Sequence, residues 1–205
     1  MADSGDFIMK KLLLMLSILL WTVSVWAVVS WNQMSFQFFN DDGSLAGSSP
    51  YASEKTNITA YNSYLRIRLR IQDLDNGAAF TSTFKLQYNI DGGAFSDCPT
   101  TLSGNYLAVA VSPYFANGSA TGQRLSTPTG GTTFVNGYGE NISNITPNTT
   151  AALHQFTENE WCLIFGYLAR GHTFTFHAVP VQGGPSYVSV PSITIVGDNN
   201  FTSGT

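Results

Sequence analysis

Hydrophobic and polar residues alternate most strictly in Tyr64-Leu65-Arg66-Ile67-Arg68-Leu69-Arg70-Ile71. Leu65, Ile67, Leu69 and Ile71 fall on one face and the three arginines on the other, which is the period of two of a half-buried strand. Residues 80–90 alternate in the same way through Phe80, Ser82, Phe84, Leu86, Tyr88 and Ile90, and Asp91-Gly92-Gly93 then makes a turn. Near the start, Met34, Phe36 and Phe38 alternate with Ser35 and Gln37, and Asn40-Asp41-Asp42-Gly43 ends that strand. Further strands are predicted over 106–111, 132–135, 161–168, 172–181 and 188–196. The stretch 112–150 reads as long loops around one or two short strands. No window beyond the N-terminal region has a 3.6-residue period. About eight or nine short strands with Gly, Asn, Asp and Pro between them predict an all-β fold, an antiparallel β-sandwich of immunoglobulin-like or jelly-roll type.

The N-terminal region differs. Lys10 and Lys11 precede an apolar run from Leu12 to Val25, and Val25-Trp26-Ala27 closes it with small or short residues at the −3 and −1 positions. A positive start, a short apolar core and a small-x-small end are the pattern of a secretory signal peptide. The same run, extended to Val29, is 18 residues long, at the lower limit for a membrane span. The expectation is a signal peptide over 1–27, a β-sandwich domain over 28–196 and a flexible tail over 197–205. The membrane then enters only during export, and the protein is secreted or held at the cell surface.

Composition sharpens this. Charged residues are 11% of the 205, against about 25% in average soluble domains, and the net charge is −4. That balance argues against a nucleic-acid partner, which calls for a basic face. Cys98 and Cys162 are an even pair in an exported chain and predict one disulfide, which would stabilise by about 4 kcal/mol in the chain-entropy model. Two buried free thiols are the alternative.

Candidate chemistry is sparse. His172 and His177 stand five apart on a predicted strand and so point to opposite faces. Glu158 and Glu160 would share a face, as a glycosidase pair must, but fit a solvated start of a strand better. Asp73 and Asp75 in the Asp-Leu-Asp-Asn-Gly turn resemble half a calcium loop, with spacing unlike an EF-hand. Calcium is the one cofactor this suggests. Arg66, Arg68 and Arg70 read as a solvent-facing stripe guarding a sheet edge, as a row neutralised by cross-strand acids, or as a docking stripe for an anionic partner. Tyr51, Tyr61, Tyr64, Tyr114, Tyr138 and Tyr187 lie in or near turns, where two or three on one face would make a sugar-stacking platform. Six Asn-x-Ser/Thr triplets begin at Asn57, Asn117, Asn141, Asn144, Asn148 and Asn200.

The order of FFNDDGS (38–44), LRIRLRI (65–71), FKLQYNIDGGAF (84–95), HTFTFHAV (172–179) and VPSITI (190–195) resembles a group of secreted β-sandwich domains in surface proteins of uncharacterised bacteria. The resemblance implies fold and export and carries no residue roles. The expected function is that of a non-catalytic structural protein of the cell surface or extracellular matrix. It would self-associate as a filament or coat subunit by strand addition, with residues 28–40 as the donor. The alternative is a carbohydrate-binding or adhesion module with glycan partners.

Overall fold

The computed structural model describes residues 30–60, 64–74, 79–131, 133–181 and 184–196. The signal-peptide and tail expectations therefore lie outside the described residues, as does Asp75. The first strands are β1 (Ser30–Asn40), β2 (Ile58–Ala60), β3 (Tyr64–Asp73), β4 (Phe80–Ser82) and β5 (Phe84–Ile90). Then come β6 (Ser96–Asp97), β7 (Leu107–Val109), β8 (Ser119–Ala120), β9 (Tyr138–Glu140) and β10 (Thr149–Ala151). The last are β11 (Phe156–Phe165), β12 (Thr173–Pro180), β13 (Gly184–Tyr187) and β14 (Ser192–Ile195), with one 3-10 turn at Tyr167–Ala169.

The fold is all-β, with sheets packed face to face as a sandwich. Sheet A runs β13-β1-β3-β11-β9-β8, with β7 on the far end of β11. Sheet B runs β2-β14-β12-β5-β6, and β4 pairs with β10 separately. Most ladders are antiparallel, but β1–β13, β11–β9 and β14–β2 are parallel. The core lies between the sheets. Sheet A supplies Trp31, Phe36, Phe38, Leu65, Ile67, Leu69, Trp161, Leu163 and Phe165, and sheet B supplies Phe84, Leu86, Phe174, Phe176, Ile193 and Ile195. Edge-to-face ring pairs join the layers, Trp31 on Phe84 at 5.1 Å and Phe165 on Phe174 at 5.5 Å. Gln33 adds a polar tie: its Oε1 accepts from Ala178 N at 2.8 Å and its Nε2 donates to Ser189 O at 2.8 Å.

Several expectations shift. The predicted strand 80–90 breaks at Thr83, so Phe80–Ser82 pairs with β10 and Phe84–Ile90 with β12. Of the predicted strand 132–135, the described residues 133–135 give only an isolated bridge, Phe134 to Phe156, and β11 begins five residues before Trp161. The 28–40 segment is not a free donor in this form. Its described part, β1, is an interior strand, antiparallel to β3 along nearly its whole length and parallel to β13 at its start. Beyond β13 its remaining edge is covered by residues 49–55, through Asn40 N to Ser49 O (2.9 Å), Tyr51 N to Phe38 O (2.9 Å) and Lys55 N to Phe36 O (2.8 Å).

Cys98 and Cys162 are both free and buried. Cys98 belongs to the core between the sheets, whereas Cys162 stands in register with Arg66 on the outer face of sheet A. Strand β11 separates the two thiols, so they form no disulfide here. Burial pushes both thiols well above the usual range.

Candidate functional site

The arginine stripe is the largest surprise of the fold. Arg66, Arg68 and Arg70 are 0%, 0% and 2% exposed. The antiparallel register of β3 with β11 sets Glu158 opposite Arg70 and Glu160 opposite Arg68, so both rows share one face. Glu158 and Glu160 are also fully buried. Neither the solvated stripe nor the solvated carboxylate pair exists, because two long loops roof this face.

The loops are held by the charges they cover. Arg68 donates Nε to Glu160 Oε2 at 2.5 Å and Nη1 to Glu158 Oε2 at 3.0 Å. Its remaining donors reach Gly122 O at 2.7 Å and Leu45 O at 2.8 Å, one carbonyl from each loop. Arg66 donates Nε to Asp41 Oδ1 and Nη2 to Gly43 O, both at 2.6 Å. Arg124, from the second loop, grips Ser48 of the first at 2.7 Å and lies 4.1 Å over the Phe39 ring. Glu158 accepts the backbone N–H groups of Arg124 and Leu125, each at 2.9 Å. Burial raises the pKa of Glu158 against the opposing pull of Arg68 and those amides. Arg70 pairs with Glu54 at 3.3 Å. Burial alone would raise the Glu54 carboxyl, but bonds from Ser35 and Ser126 and the charge of Arg70 bring it below its ordinary value.

The segment that leads into β9 lies tight against β11: a Cβ at Gly137 would stand 2.2 Å from the Glu158 carbonyl oxygen. The arginines are therefore internal cross-ties, and no cation of this row is left facing a partner. As chemistry the layer is closed. Glu158 and Glu160 are 0% exposed and engaged by donors, so neither faces a substrate.

At the Arg66 end the layer opens into a cavity of about 350 Å³ lined by Asp41, Tyr64, Val111, Pro113 and Tyr114. Tyr64 begins β3 and is 47% exposed; Tyr114 is 48% exposed. Asp41 joins cavity and layer. Its Oδ1 accepts from Arg66 and from Ser112 Oγ, the latter at 2.7 Å. Asn141 Nδ2 pins the 112–115 turn by donating to Phe115 O at 2.6 Å. Of the tyrosines named from sequence, Tyr64 and Tyr114 meet here. Tyr51 instead donates to Thr59 O at 3.1 Å, Tyr61 lies outside the described residues, and Tyr187 is stacked elsewhere.

On the outer face of sheet B, His177 is sandwiched between Phe95 at 3.8 Å and Tyr187 at 3.6 Å, all nearly parallel. Burial lowers the His177 pKa to about 4 and raises that of Tyr187 to about 12. His172 binds Asp91 at 2.6 Å across a hairpin end. Asp73, one half of the expected calcium pair, is 2% exposed. Among the described residues no group of three or more His, Cys, Asp or Glu is placed to hold a metal ion. Asn141 and Asn144 of the glycosylation triplets are buried, and Asn144 Oδ1 accepts from Leu86 N at 2.9 Å.

Sequence reasoning missed Asp41, Glu54, Arg124 and Glu140. Asp41 was legible only as part of a turn, and the others lie in stretches without periodicity. Glu140 is fully buried, and among the described residues its carboxylate has only a weak contact from the Asn117 side chain and no well-formed hydrogen bond. Burial raises its pKa to about 7, opposed by the Asn117 side chain. No family model, curated protein or solved structure matches the chain.

Proposed function

We propose that the chain is an exported structural subunit of a cell surface or extracellular layer, and that it assembles by exchanging its N-terminal strand between copies. The observation that supports this reading is the position of β1. It is the first described strand, yet it fills an interior slot between β3 and β13 and brings Trp31, Phe36 and Phe38 to the core. A terminal strand leaves such a slot without unthreading any other element. The slot is the same in every copy, so a neighbour's β1 remakes identical contacts, the low-cost route of strand and domain exchange.

The arginine clamps give the exchange a hinge. Arg66, Arg68 and Arg124 hold Asp41, Gly43, Leu45 and Ser48 on the parent domain. The strand therefore swings at the join of Asn40 and Asp41 while the loop stays. This replaces addition at an open edge with exchange into a closed slot.

The test is a lock. Asn32 and Gln72 are an in-register pair, and cross-strand Cα atoms lie about 4.5–5.5 Å apart, within disulfide range. The Gln72 amide makes no hydrogen bond among the described residues, so its loss breaks none. The mature chain is expected to form regular polymers by light scattering and negative-stain microscopy. Asn32→Cys with Gln72→Cys is expected to stay monomeric when oxidised and to polymerise on reduction. Polymers from the oxidised protein, or a wild-type monomer at every concentration, would overturn the reading.

A further inference from the structure

The cavity beside Asp41 is independent of strand exchange. At about 350 Å³ it lies at the small end of ligand sites, which run from about 300 to 1,000 Å³. Its lining is two half-exposed tyrosines, Pro113 and Val111, together with Asp41, whose side chain is 5% exposed. We propose that it binds a neutral pyranose sugar and discriminates against acidic ones.

The chemistry of each part fits. The C–H face of a pyranose is an apolar patch that covers an aromatic ring, and a tyrosine presents an apolar body with a polar tip. The hydroxyls around the sugar edge donate, and the 5% of the Asp41 side chain left open offers them a carboxylate acceptor. Arg66 and Ser112 occupy Oδ1 of Asp41 and hold the group in place. The acceptor is thus fixed before ligand arrives, which reduces the ordering cost of binding.

Charge sets the selectivity. Asp41 is the one charged residue among those lining the cavity. The nearest cation, Arg66, is 0% exposed and already donates to Asp41, Gly43 and Ser112. A uronic acid entering here meets a carboxylate already paired with Arg66 and finds no free guanidinium, so its own charge gives up water without gaining a partner. A charge desolvated without a partner is expected to lower affinity at least tenfold, equal to 1.4 kcal/mol.

The experiment is a titration of the mature protein at pH 7 with methyl glucoside, methyl galactoside, methyl mannoside and the matching methyl uronates, followed by tyrosine fluorescence and calorimetry. At least one neutral glycoside is expected to bind, with its uronate at least tenfold weaker. Tyr114→Ala and Tyr64→Ala are expected to weaken the neutral sugar at least fivefold while thermal unfolding stays near wild type, since both rings are about half exposed. Uronates binding as tightly as neutral sugars would overturn the selectivity. Binding that survives both tyrosine variants, or no saccharide binding at all, would overturn the site. None of these outcomes bears on polymerisation, so the two readings fail separately.

Discussion

The two outer faces of the sandwich start from the same pattern and end in opposite states. On sheet A the alternate residues of β3 are arginines, and they are buried under 41–55 and 112–127. On sheet B the alternate residues of β12 are Thr173, Thr175, His177 and Val179, all partly open to solvent. Both strands alternate, so period two identifies which residues leave the core and not whether water meets them. What differs is the supply of partners. The arginines face Glu158 and Glu160 in register and have backbone carbonyls from two loops within reach. A charge leaves water only when its donors are filled. The sheet B face carries mostly hydroxyls and rings, and the charges it has, such as Lys85 and Asp97, stay in water and so need no roof.

Breaking the paired face is therefore the largest available perturbation. Arg68→Ala leaves Glu158 and Glu160 buried against each other, frees the Gly122 carbonyl and leaves Leu45 O to Arg124 alone. Removing one partner of a buried pair costs about 3–5 kcal/mol. Urea unfolding is expected to show a loss of that size. A loss below about 1 kcal/mol would mean that water already reaches the layer.

The strands, their core faces and the fold class were readable because burial of alternate apolar residues imposes period two directly. The roof was not. Loops 41–55 and 112–127 have no period, and what fixes them is an arginine in a distant strand meeting carbonyls such as Leu45 O and Gly122 O. Every residue has a carbonyl, so no sequence signal marks those two. The register that sets Glu160 beside Arg68 depends on which strands become neighbours, which alternation does not encode. The same gap explains the cysteines: parity suggested a bridge, while the face each occupies follows from register and strand pairing. The cavity was half legible, as a set of turn tyrosines, and the fold selected two of six.

Glu140 sharpens the comparison from the other side, as a buried carboxylate without the ionic layer's donors. Its carboxyl titrates near pH 7 folded and near 4.5 unfolded, so the folded chain holds an extra proton between those values. Its contribution is complete below about pH 4.5 and is lost as pH rises through about 7, where stability then levels. His177 runs the opposite way. Its folded pKa of about 4 lies below the ordinary 6.5, so stability is present above 6.5 and is lost as pH falls towards 4. The two slopes oppose each other in the wild type. Glu140→Gln is expected to add on the order of 2 kcal/mol at pH 8 and to unmask a stability that rises with pH. His177→Gln is expected to unmask the falling limb, with a smaller amplitude because the ring is partly open to solvent. Thermal melts from pH 4 to 8 read both, and a Glu140→Gln profile parallel to wild type would mean that the carboxyl is solvated.

The smallest effect belongs to the open face, where an ion pair of good geometry stands in water. Lys85 Nζ lies 2.8 Å from Asp97 Oδ2, as close as the buried contacts of Arg68, with side chains 28% and 54% exposed. Distance alone would rank the pairs together. Solvent separates them, since the exposed pair gains little over the hydration it gives up and loses side-chain freedom. Lys85→Ala is expected to change unfolding free energy by less than about 0.5 kcal/mol, and 0.5 M salt to remove what remains. Arg68→Ala should keep its full cost in the same salt, because ions do not enter the roofed layer. Equal salt sensitivity in the two variants would place both pairs in the same medium and remove the distinction between the faces.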